Sequence, residues 1–66
     1  MGYRPRILVC EHDPKLRTRL SESLEHAGFW TDTARSAREA LKKLGTRQYA
    51  AMTLNLLLAD QDALSL

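Results

Sequence analysis

Cysteine is almost missing from this sequence. Cys10 stands alone among 66 residues, so no disulfide can form within the chain, and no Cys/His cluster has the spacing of a zinc site. Long apolar runs are missing as well. Nothing approaches the ~18 consecutive apolar residues of a membrane-spanning helix. The run after the basic start MGYRPR, Ile7 to Cys10, is too short for a signal-peptide core. With one unpaired cysteine and no export signal, the expected location is the cytoplasm, with no membrane partner. An excess of one charge is lacking too. Ten Lys and Arg against eight Asp and Glu leave a net charge of +2, too mild for nucleic-acid binding by bulk electrostatics. Arg4, Arg6, Lys15, Arg17 and Arg19 tint the first third basic. They do not interleave with aromatics or glycines, so we read them as solvated charges and expect no direct nucleic-acid contact. A chain this short buries only ~60% of its unfolded surface. With disulfides and metals set aside, association with another chain or membership of a larger domain remains.

What is present has a clear order. Arg6-Ile7-Leu8-Val9-Cys10 is a continuous, partly β-branched apolar run, the pattern of a strand buried on both faces. Asp13 then offers a helix cap and Pro14 a first helical residue. Leu16, Leu20, Leu24 and Ala27 recur on one stripe of the predicted helix 14–27, and Gly28 supplies its stop. A second strand, 29–34, is aromatic and β-branched, with polar members that suit an edge. Ser36 and Glu39 read as a capping box for a helix over 37–44, with Ala40, Leu41 and Leu44 as its apolar stripe. The stretch 49–54 reads as a third strand, and a third helix is expected to start within 62–66. Strands separated by helical crossovers pair in parallel, so the fold class is α/β with layered helices.

In such sheets ligands bind beyond the carboxyl ends of the strands. Those ends carry Glu11, His12 and Asp13 on the first strand and Asn55 on the third. The lone amide of Asn55 sits in TLNLLLADQDAL, between apolar residues and just before an acidic stretch. Mg²⁺ prefers hard oxygen ligands. Glu11 and Asp13 are candidates, but His12 is softer and Asn55 uncharged, so a weak or absent magnesium site is expected and no cofactor. Trp30, Cys10 and the leucines are assigned to packing.

These residues together resemble the first half of a response-regulator receiver domain. That family's first strand often ends in a run such as ILVVDDDP, where this chain has ILVCEHDP from Ile7 to Pro14. The family's AGY turn is similar to Ala27-Gly28-Phe29, and its DGEEAL helix to Ser36 through Leu44. Its YDLVLLDLMLPDMDGLEL aligns without gaps on Tyr49 through Leu66. The resemblance covers residues 6–66. It implies a flavodoxin-like parallel sheet, here as the βαβαβ half of a receiver, in a bacterial two-component or related signalling protein.

The departures fall at the site. The family's phosphoacceptor aspartate lies on Asn55, whose amide cannot attack phosphorus as a carboxylate does. Its acidic pair lies on Glu11 and His12, which removes one negative charge from the usual metal position. The proline and glycine of its following loop are Ala59 and Ala63 here. The resemblance so altered implies a non-enzymatic pseudo-receiver acting by contact with protein partners, with Asn55 as a neutral hydrogen-bonding residue at the strand mouth. Two alternatives stay open. One is a self-associating module, a homodimer joined along the third-strand edge through Tyr49, Met52 and Leu54. The other is a conventional receiver that regulates a DNA-binding output domain.

Overall fold

In the computed structural model, residues 3–55 are described; the expected helix start at 62–66, Ala59 and Ala63 lie outside them. Five elements follow one another: β1 (Arg6–Glu11), α1 (Pro14–His26), β2 (Trp30–Ala34), α2 (Ala37–Leu44) and β3 (Ala51–Asn55). The three strands form one parallel sheet in the order β2-β1-β3. This is the βαβαβ half of a flavodoxin-like fold.

β1 is central because it is the strand that tolerates burial on every side. Leu8, Val9 and Cys10 are wholly buried, and even Glu11 is only 2% exposed. Side chains alternate between sheet faces along a strand. Leu8 and Cys10 accordingly join Ala34 and Ala40 in a cluster on the α2 side, with Tyr49 packed against it. Burying a leucine such as Leu8 stabilises the fold by about 1.5–3 kcal/mol.

The helix ends follow their sequence signals closely. Asp13 is extended at the cap of α1, and its Oδ1 accepts from the backbone N–H groups of Lys15 (2.9 Å) and Leu16 (3.4 Å). At the other end Gly28 takes φ +102°. Its N–H donates to the Glu25 carbonyl and that of Phe29 to the Leu24 carbonyl, both at 3.0 Å. That pair of bonds is the Schellman closure, which needs the left-handed residue that glycine supplies. Ala27 is therefore the cap of α1 and not its last turn.

Four details differ from the sequence expectation. The Leu16/Leu20 stripe does not sink into the sheet: those side chains are 42% and 37% exposed. The half-buried residues of α1 are Arg17, Ser21 and Leu24. One Arg17 guanidinium nitrogen donates to the Glu11 carbonyl at 3.1 Å, which draws that flank of the helix onto β1. At α2, Ser36 Oγ accepts from Glu39 N–H (3.1 Å), but the Glu39 carboxylate answers to Arg35 N–H (2.8 Å) and not to that of Ser36. Trp30 is 48% exposed and carries the Arg4 guanidinium 4.3 Å from its ring centroid, a cation–π contact rather than core packing. Finally, β3 starts two residues late and runs through Asn55, while β1 gains Glu11 and β2 begins at Trp30.

Candidate functional site

The parallel register sets Glu11 directly beside Asn55, at the carboxyl ends of β1 and β3. Proximity becomes a bond because the two side chains are complementary. The Asn55 amide nitrogen donates to Glu11 Oε1 at 2.9 Å. Glu11 Oε2 accepts the Asp13 backbone N–H at 3.1 Å. A buried carboxylate is costly unless hydrogen-bonded, and here both of its oxygens have donors.

His12 closes the group. Its backbone N–H donates to the Asn55 carbonyl at 3.2 Å, continuing the ladder past the end of the strand. Its ring Nδ1 lies 3.3 Å from the same carbonyl and 3.5 Å from Glu11 Oε2. Asp13 stands next in the chain, but its Oδ1 faces the start of α1 as a cap. The structure thus brings Glu11, His12 and Asn55 into one cluster and assigns Asp13 to helix capping. Each Glu11 oxygen thus already has one donor, which leaves about half of the carboxylate's acceptor sites unused. Among the described residues no group of three or more His, Cys, Asp or Glu is placed to hold a metal ion. Asn55 itself offers no nucleophile, because its amide nitrogen lone pair is delocalised and its N–H is engaged.

The three edge candidates separate. Met52 and Leu54 align with Leu8 and Cys10 on the α2 side of the sheet and are 44% and 52% exposed. Tyr49 is not on the edge. It precedes β3 and packs against the buried cluster, and its hydroxyl donates to Asp32 Oδ2 at 2.6 Å. The strand bounds correct its place in β3, which starts at Ala51.

Asp32 is a polar node that the sequence did not announce. It lies beside Leu8 in the register and receives Arg6 at 3.1 Å and Arg47 at 3.6 Å as well as Tyr49. Burial alone would raise its carboxyl pKa. The Tyr49 hydroxyl and the charges of Arg6, Arg47 and Lys43 outweigh that and hold it below the ordinary value. Its contribution to stability is therefore present above the unfolded carboxylate range and fades as the pH falls. The only sequence signal was a polar residue on the buried side of an otherwise apolar alternation. Tyr49 responds in the opposite sense. Burial, its bond to Asp32 and the Asp32 charge push the phenol from 10.0 to about 12. The folded state then holds this proton more tightly, so the stabilisation is complete below the unfolded value of about 10 and is lost as pH rises toward 12. In a Tyr3→Phe background, tyrosinate absorbance should rise with a midpoint near 12. Adding Asp32→Asn should return that midpoint toward 10, and an unchanged midpoint would dismiss the Asp32 contact.

The surroundings of Cys10 argue against reactivity. The thiol is buried, and burial raises its pKa while the Lys43 charge only partly offsets the rise. No helix among the described residues is long and apolar enough to cross a membrane.

No family model and no solved structure matches the chain. Among curated proteins, the transcriptional regulatory protein PmrA of Pectobacterium parmentieri is 36% identical to it over 61 residues. The match takes in 92% of this chain but only 28% of that protein, so the chain spans little more than a quarter of its relative. That likeness and the β2-β1-β3 parallel order together support a receiver-like unit.

Proposed function

We propose that this chain is the first half of a pseudo-receiver in a response-regulator-like signalling protein, and that it works by protein contact rather than by taking up a phosphoryl group. The observation that carries the reading is the 2.9 Å bond from the Asn55 amide to Glu11. In the position where the family resemblance places a phosphoacceptor carboxylate, this bond ties the ends of β1 and β3 together. It engages one of the two oxygens of Glu11, and Asn55 adds no charge for a magnesium ion to neutralise. His12, in the second acidic position, brings an imidazole where a carboxylate would add charge. The likeness to a transcriptional regulatory protein supports a signalling setting, in which an output domain elsewhere in the protein would respond to this one.

Intact-mass measurement after incubation with a small phosphodonor and Mg²⁺ tests the reading. The expected result is an unchanged mass. A gain of one phosphoryl group, mapped to Glu11 or to the Asn55 region, would overturn it and favour a conventional receiver. A second reading, association of two copies, rests on β3 being the outer strand among the described residues, with Met52 and Leu54 half-exposed beside it. Light scattering across a concentration series separates the two: mass that doubles with concentration favours pairing.

A further inference from the structure

Beside the carboxyl end of β2 lies a cleft of about 190 Å³ lined by Arg17, Thr33, Arg35, Glu39 and Lys43. We propose that it is a binding site for a phosphoryl dianion. The charge balance comes first. Three cations against one carboxylate leave the lining at +2, close to what a phosphate monoester of charge about −1.5 to −2 would neutralise.

Among the described residues none of the three cations is held in a salt bridge, although the Lys43 charge also acts on Asp32. Arg17 donates to the Glu11 backbone carbonyl at 3.1 Å, and the Lys43 ammonium donates to the Thr33 carbonyl. Both acceptors are uncharged, and a guanidinium and an ammonium keep further N–H donors after one such bond. Among the described residues the ion pairs are Arg6–Asp32, Arg47–Asp32 and His12–Glu11, so none of the three cleft cations belongs to one. The single carboxylate, Glu39, already accepts the Arg35 backbone N–H at 2.8 Å. What remains open in the cleft is donor capacity and positive charge.

Size narrows the ligand further. Pockets for drug-sized molecules run from about 300 Å³ upward, and this cleft is smaller. It has room for one phosphoryl group. Planar guanidinium groups such as those of Arg17 and Arg35 match phosphate oxygens in paired hydrogen bonds. The site is independent of the Glu11–Asn55 cluster, and its test does not depend on how that cluster is read.

The test is a titration of inorganic phosphate into the ¹⁵N-labelled chain, at ionic strength held constant with sodium chloride to remove simple screening. Saturable shifts are expected at the amides of Thr33, Arg35 and Glu39. Arg35→Ala should weaken binding about tenfold, the loss of one charge-assisted hydrogen bond, and Arg35→Lys, which keeps the charge but not the planar fork, should fall between that variant and the parent. Both variants retain the backbone bond to Glu39, so an unchanged spectrum elsewhere will report an intact fold. A phosphoserine peptide and its unphosphorylated twin distinguish a free phosphate from one carried on a protein, and saturable binding of either phosphorylated species sustains the proposal. Shifts reproduced by chloride alone, or an Arg35→Ala variant that titrates like the parent, would overturn it.

Discussion

Replacing Asn55 with aspartate should destabilise the chain by about 1–2 kcal/mol at pH 7, and millimolar Mg²⁺ should return most of the loss. The reason is geometric. The Asn55 amide nitrogen stands 2.9 Å from Glu11 Oε1, so the substitution turns a donor into a second carboxylate at hydrogen-bond distance. Two unit charges ~4 Å apart repel by about 4 kcal/mol at the effective dielectric of a protein surface. Glu11 cannot retreat, being 2% exposed and held by the Asp13 N–H. The side chain at 55 lies on an exposed strand end and can swing toward water, which is why the expected loss is well below the full repulsion. Protonation of the pair would relieve it, so the deficit should shrink as the pH falls and grow as it rises. Mg²⁺ should act on this variant and not on the parent, since paired carboxylates give it hard oxygens where the parent offers one carboxylate already bonded. Urea denaturation of both chains at two pH values, with and without Mg²⁺, checks all of this. A variant as stable as the parent and indifferent to Mg²⁺ would mean that positions 11 and 55 do not meet. If the proposed pseudo-receiver reading holds, the substitution alone should not confer full phosphoryl transfer, because His12 adds no second carboxylate beside Glu11.

Much of this architecture was legible because its signals are local. The continuous run Ile7 to Cys10 marks a strand with neighbours on all sides, and Asp13-Pro14 and Gly28 bracket a helix through capping chemistry confined to a few residues. The same locality explains the misjudged details. Tyr49 has the composition of a strand residue. What fixes it is a hydrogen bond to Asp32, seventeen positions away in the chain, and no local pattern encodes that. Leu16 and Leu20 form a helical stripe whose spacing is correct. The face turned to the sheet instead carries Arg17, Ser21 and Leu24, with Arg17 reaching the Glu11 carbonyl. At the site, strand-end topology sufficed to bring Glu11, His12 and Asn55 together. It could not show that Asp13 would serve the helix cap, because a carboxylate at that position suits a cap and a metal equally well.

Exchanging the two partners should largely undo the damage of changing one. Glu11→Gln alone is expected to cost less than about 1 kcal/mol. The glutamine oxygen can still accept the Asp13 N–H, and the Asn55 amide can turn over to present its oxygen to the new amide nitrogen. Glu11→Ala should cost about 1–3 kcal/mol, because it leaves the Asp13 N–H without its acceptor, while the exposed Asn55 amide can turn to water. In the double variant Glu11→Gln/Asn55→Asp, a donor at 11 faces a carboxylate at 55, the native pair with its polarity reversed. Its stability should exceed the sum of the single effects by about 1–2 kcal/mol, a coupling of the size expected for residues in direct contact. A double-mutant cycle by urea denaturation measures that coupling. Additive losses would assign the Asn55→Asp deficit to local strand effects. The predicted coupling would mean that the side chains add to the backbone ladder at the mouth through one hydrogen bond between a carboxylate and an amide, with the direction of the donor immaterial and the absence of a second charge essential.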